Sequence, residues 1–172
     1  MAIVSALMVQ MPGLTGGNVG PPTSTVALVA AVSSTLQPPI PQRHAARRTA
    51  AQTHAAFASR VIAEARKHRG VPYQWGGNGP ARFDCSGFTK YVFRAIGKLL
   101  PRTASEQYEA IRHVPKGAKR IGDLIFKYHR GGHVYHVGIY AGNNTTWAAT
   151  KTGDVVRIVP INTARYYVGR VH

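Results

Sequence analysis

From Asp123 onward the chain reads as short alternating strands set apart by turns, and everything regular before that point reads as helix. The strand stretches are 123–128, 136–141, 145–150, 155–161 and 166–171. Gly131-Gly132, Gly142-Asn143-Asn144 and Thr152-Gly153-Asp154 supply the turns. Helices first and strands after define an α+β domain, its helices packed on an antiparallel sheet of about five strands. The first helix is expected to be capped by Thr53, to carry Phe57, Val61, Ile62 and Ala65 on its apolar side, and to stop at Gly70. In the second, Phe88, Tyr91, Val92, Ala95 and Ile96 recur at i, i+3, i+4, i+7 and i+8. A short third helix follows Pro101 and runs to about Ile111. At 172 residues there is room for one domain with a real core, and not comfortably for two.

Residues 1–52 differ in kind from the rest. They hold no acidic residue, no basic one before Arg43, and much Ala, Val, Thr, Gly and Pro, with an extended stretch at Leu36-Gln37-Pro38-Pro39-Ile40-Pro41. They are expected to form a disordered N-terminal arm ahead of a folded domain over 53–172. The apolar run Val26 to Val32 is too short to span a membrane, so no transmembrane anchor is expected. Met1 to Met11 carries no charge, which leaves no convincing signal peptide.

The chain holds one cysteine, Cys85, in Asp84-Cys85-Ser86-Gly87. This stretch sits where the irregular Val71-Pro72-Tyr73-Gln74-Trp75-Gly76-Gly77 gives way to the second helix. In a first helical turn, unpaired N–H groups and the positive end of the helix dipole favour thiolate over thiol. About fifty residues later His136 opens the run His-Val-Gly-Ile-Tyr-Ala-Gly. Imidazole titrates near neutrality, so it can take a thiol proton and return it to a leaving amine. A cysteine nucleophile at Cys85 and a general base at His136 therefore suggest a cysteine hydrolase. Among rival histidines, His113, His129 and His133, the nearest is His133, which strand alternation puts on the opposite face from His136. The sequence holds no metal-ligand cluster and no phosphate loop, and no cofactor is expected.

Five elements follow one another in a fixed order: Pro72-Tyr73-Gln74-Trp75-Gly76-Gly77, Asp84-Cys85-Ser86-Gly87, Pro101-Arg102-Thr103, Gly122-Asp123-Leu124-Ile125-Phe126 and His136-Val137-Gly138-Ile139-Tyr140-Ala141-Gly142. With them the chain resembles the NlpC superfamily of papain-like bacterial cell-wall cysteine peptidases, over roughly residues 55–172. The resemblance implies a papain-like core and a secreted or envelope-located peptidoglycan endopeptidase. Such an enzyme would cut the γ-D-glutamyl to diamino-acid bond of the stem peptide through a thioester on Cys85. It implies that Tyr73 helps hold the tetrahedral oxyanion and that Asp84 and Ser86 receive the free amino end of the wall peptide. It also implies a third polar residue twelve positions after the base histidine to orient the imidazole, where this chain has Ala148. Thr146 and Thr150 share a face with Ala148, so either hydroxyl, a backbone carbonyl or water is left to do that work. The alternative is an impaired domain that keeps the fold and binds peptidoglycan without cutting it. Asp123 is read as structural.

Charge bears on partners. The chain carries 22 Lys plus Arg against 6 Asp plus Glu, a formal charge of +16. Of these, 19 basic and all 6 acidic residues lie from Arg60 onward, which leaves +13 on the folded part. Such a surface is drawn to polyanions. The basic residues are scattered and carry no recognised nucleic-acid motif, so peptidoglycan and anionic wall polymers are the expected partners of a monomer, with no specific nucleic acid.

Overall fold

The computed structural model describes residues 40–171. The expected disorder of the N-terminal arm concerns mostly residues 1–39, which lie outside the described residues. Helix α1 (Ile40–Lys67) begins thirteen residues earlier than Thr53 led us to expect. Thr53 is not a cap but an interior residue whose hydroxyl donates to the Thr49 carbonyl at 2.9 Å, one turn back. The stretch from His44 to Ala51 is rich in alanine and arginine, both strong helix formers, so the helix runs through the expected boundary at 52 without a break.

Helix α2 (Cys85–Ala95) buries Phe88 and Val92 of the stripe read from the sequence, half-buries Tyr91, leaves Ala95 exposed, and also buries Phe93, which lay outside that stripe. Helix α3 (Ala104–Glu109) is short and closed by a capping box: Thr103 Oγ1 accepts the Glu106 N–H, and the Glu106 carboxylate accepts the Thr103 N–H. The strands are β1 (Arg112–Val114), β2 (Leu124–Tyr128), β3 (Val134–Gly142), β4 (Thr145–Ala148), β5 (Arg157–Pro160) and β6 (Tyr166–Arg170). They form one antiparallel sheet in the order β1-β6-β2-β3-β4-β5. The sheet thus has six strands where the sequence suggested about five. The sixth, Arg-His-Val at 112–114, is too short for its alternation to stand out, and pairing with the β6 edge makes it a strand.

One face of the sheet meets the helices. Leu124, Phe126, Val137, Ile139 and Trp147 pack there against Val61, Ala65, Phe88, Val92 and Phe93. The other face carries a smaller cluster of Ile125, Ile161, Tyr166 and Val168. Asp123 holds the base of this arrangement. Nearly sealed at 1 % exposure, it accepts both Arg170 Nε and Nη2 at 2.8 Å and the Arg120 N–H at 2.7 Å, as its structural reading required.

Candidate active site

Cys85 is the first residue of α2. Asp84 before it is in extended backbone and caps the helix, its Oδ1 accepting the Gly87 N–H at 2.7 Å. The loop carrying Tyr73 lies directly on this helix start. The Asp84 N–H donates to the Gly77 carbonyl at 3.0 Å, and a Cβ on Gly87 would sit only 2.0 Å from that same oxygen. Only glycine at 87 lets the loop come so close.

Arg102 locks the corner from the other side. Its Nη2 donates to Asp84 Oδ2 at 2.6 Å, and its Nη1 donates to Asp84 Oδ1 and to Ser86 Oγ, each at 3.1 Å. Fully buried Gln107 adds bonds from its amide to the Ser86 and Pro101 carbonyls, both at 2.9 Å. Asp84 and Ser86 are therefore fixed in a network before any substrate arrives. The sequence reading gave no role to Arg102 or Gln107. Pro101-Arg102-Thr103 was visible as a motif, but a partner 18 residues away is not legible from spacing.

The Cys85 sulfur meets the sheet through the backbone N–H of Val137, the residue after His136. This contact joins the helix of the candidate nucleophile to the strand of the candidate base. Burial pushes the Cys85 thiol above its ordinary pKa, with Asp84 adding to the rise; hydrogen bonds from Val137 and from the helix start pull only partly the other way. The expected bias toward thiolate is thus overturned by desolvation, which outweighs the helix terminus.

His136 is 7 % exposed. Its pKa is lowered to about 4, first by burial and then by the charge of Lys127, its register partner on β2. At neutral pH the pair is thiol and imidazole, both uncharged. The phenol of Tyr73 is near enough to Cys85 and Asp84 that their charges, after burial, raise its pKa. The rival histidines are engaged otherwise. His113 stacks on Tyr108 with ring centroids 4.1 Å apart, and His129 on Tyr135 at 4.2 Å. His133 is exposed just before the start of β3.

Ala148 is fully buried and brings no hydrogen-bonding group toward the imidazole. The Thr150 hydroxyl donates to Asp154 Oδ2, a carboxylate that also holds Arg157 and is kept well below the usual carboxylate range by those bonds. His136 Nε2 and Thr146 Oγ1 are both buried with no hydrogen-bond partner. Among the described residues no group of three or more His, Cys, Asp or Glu side chains could hold a metal ion.

The model of the NlpC/P60 family matches residues 70–170, the span that holds this whole constellation. The chain belongs to the NlpC/P60 family. Among its relatives, the probable endopeptidase p60 of Listeria innocua is 50% identical over 93 residues, covering 54% of this chain and 20% of that protein. The peptidoglycan endopeptidase RipB of Mycobacterium tuberculosis is 39% identical over 117 residues, covering 60% of this chain and 48% of RipB. The solved structure of RipB superposes with a TM-score of 0.59 at 38% identity, covering 66% of this chain and 63% of that one. RipD of the same organism, described as a non-catalytic NlpC/p60 domain protein adapted to peptidoglycan binding, gives 0.58 at 32% identity over 67% of this chain and 97% of that one. The chain thus spans between a fifth and a half of the length of these curated relatives.

Proposed function

We propose that the protein is a peptidoglycan hydrolase, a cysteine endopeptidase that opens the stem peptide between γ-D-glutamate and the diamino acid. The observation that carries this reading is the contact of the Cys85 sulfur with the N–H of Val137, next to a buried, neutral His136. His136 takes the thiol proton as the sulfur attacks the scissile carbonyl. The oxyanion so formed is held by Tyr73, together with the N–H groups at the start of α2. Collapse breaks the C–N bond, the amine leaves with the proton from His136, and a thioester remains on Cys85. Water, deprotonated by His136, then attacks the thioester, releasing the carboxylate and restoring the thiol. Asp84 and Ser86 receive the amino end of the peptide, an ammonium group approaching a carboxylate already neutralised in part by Arg102.

The proposed site of action is the cell envelope, outside the cytoplasm. The protein works there as a monomer, holding anionic wall polymers through its basic surface. No helix among the described residues is long and apolar enough to cross a membrane.

A second reading is favoured by Ala148: a domain that binds peptidoglycan and cuts it poorly or not at all, as the name given to RipD says of that relative. Incubation with purified peptidoglycan fragments and mass analysis of the products separates the two. Cleavage by the parent protein, lost in Cys85→Ala with binding retained, supports the endopeptidase. Binding without products supports the second reading, and cleavage by the alanine variant overturns the thioester route.

A further inference from the structure

The residues around Ala148 show what can stand in for the missing side chain. The register pairs Ile139 with Trp147 and Tyr140 with Thr146, so one step further sets Gly138 opposite Ala148. His136, Gly138, Thr146 and Ala148 share one face of the sheet by strand alternation. By the register, Gly138 and Ala148 are the positions of this face that separate His136 from Thr146. Thr146 does not stand straight above its partner Tyr140. It leans toward the His136 end of β3: a Cβ on Gly138 would lie 3.1 Å from Thr146 Cβ, Thr146 Oγ1 and the Trp147 carbonyl oxygen alike. His136 is 7 % exposed and Thr146 is 1 % exposed, and of the three buried side-chain atoms without a hydrogen-bond partner among the described residues, two are His136 Nε2 and Thr146 Oγ1, the third being His54 Nε2 on α1. A buried donor and a buried acceptor left unpaired on the same face of one sheet are costly, and native proteins rarely tolerate such groups.

We propose that Thr146 is the positioning residue for His136, and that its hydroxyl holds the imidazole through one water lodged between them over Gly138. Nε2–H donates to the water. The water donates to Thr146 Oγ1, with the Trp147 carbonyl beside it as a further acceptor, giving it the two to four polar partners a buried water requires. Fixing the proton on Nε2 leaves Nδ1 as the basic nitrogen that exchanges a proton with the thiol. The charged group that acts on the ring is Lys127 on β2. The Thr150 hydroxyl spends its proton on Asp154 and makes no hydrogen bond with His136 Nε2.

The proposal rests on Cys85 and His136 acting as nucleophile and base, and its test has a readout that does not need turnover. Protein labelled with 15N in histidine is compared for parent, Thr146→Val and Thr146→Ser, both by the His136 ring tautomer in NMR and by kcat and KM on stem-peptide fragments. Valine keeps the shape and removes the hydroxyl. It should lower kcat by roughly tenfold or more at unchanged KM and spread the ring over both tautomers, while serine keeps the Nε2–H form and most of the rate. Should the valine variant fold poorly, Thr146→Ala removes the same hydroxyl with less steric demand. A valine variant that is more stable, equally fast and unchanged in tautomer would overturn the proposal, because it would mark the hydroxyl as a plain unpaired group. A parent without turnover would count against the hydrolase reading alone, and the tautomer spectra would still decide the role of Thr146.

Discussion

At the scale of single residues, the pocket that quiets the thiol also couples His136 to stability. An unfolded chain protonates this histidine below about pH 6.5, whereas the folded one resists until about 4. The unfolded state therefore binds the extra proton between those values. The stabilisation is complete above pH 6.5 and is lost as the pH falls toward 4, by up to about 3 kcal/mol. Urea midpoints measured from pH 4 to pH 7 should show that fall in the parent and not in His136→Gln; parallel curves would refute it. A second expectation concerns Ala148. Replacing it with histidine supplies a direct partner for the ring and should raise turnover per folded molecule, by about tenfold for each 1.4 kcal/mol gained. Overpacking of the buried site costs about 1–3 kcal/mol of stability, and the gain should be larger in a Thr146→Val background than in the parent. Cys85 and His136 were legible because each stands inside a distinctive run of neighbours. The direction of the Cys85 shift was not, because it depends on how deeply α2 is sunk against β3, and no local pattern records that.

At the scale of elements, the start of α2 is held by groups from three segments: Asp84 as cap, Gly77 from the preceding loop and Arg102 from ahead of α3. Removing the guanidinium in Arg102→Ala strips two charge-assisted bonds from Asp84 and leaves its carboxylate poorly paired. With Arg102 partly open to solvent, a loss of about 2 kcal/mol is expected in urea unfolding. Activity should fall with it, even under conditions where the variant is fully folded, because the loop bearing Tyr73 loses the bond from Arg102 Nη2 to the Gly77 carbonyl at 3.4 Å. Retained activity with unchanged stability would show that Asp84 is held well enough by Gly87 alone. The strands from 124 to 170 were readable because alternation and glycine turns act locally. The start of α1 was not, since an alanine-rich stretch with a plausible threonine cap inside it offers two starts, and the continuous helix takes the earlier one. For β1 the deciding partner, β6, lies some fifty residues away.

At the scale of the whole molecule, the charge is the dominant property. Lys98, Arg112, Arg120 and Arg170 line a groove of about 930 Å³ beside α1, so part of the excess is gathered in one place. Binding to insoluble wall material should weaken steeply as salt rises, since screening sets in over about 8 Å at physiological ionic strength. Sedimentation assays at low and high salt test this, and salt-independent retention would assign binding to the peptide site instead. The fold class was legible from the order of elements alone, whereas the gathering of these four cations was not: Lys98 follows α2, Arg112 starts β1, Arg120 precedes β2 and Arg170 ends β6. One consequence follows from the way the thiol reaches Val137. The proposed nucleophile and its proposed base come from segments fifty-one residues apart, and only the docking of α2 on β3 unites them. A chain still being synthesised, or threaded in extended form through a narrow channel, has no working dyad and can harm nothing it passes. Under the proposed function, hydrolytic power arrives only with the finished tertiary structure, which makes folding itself the safety catch on a potentially destructive reagent.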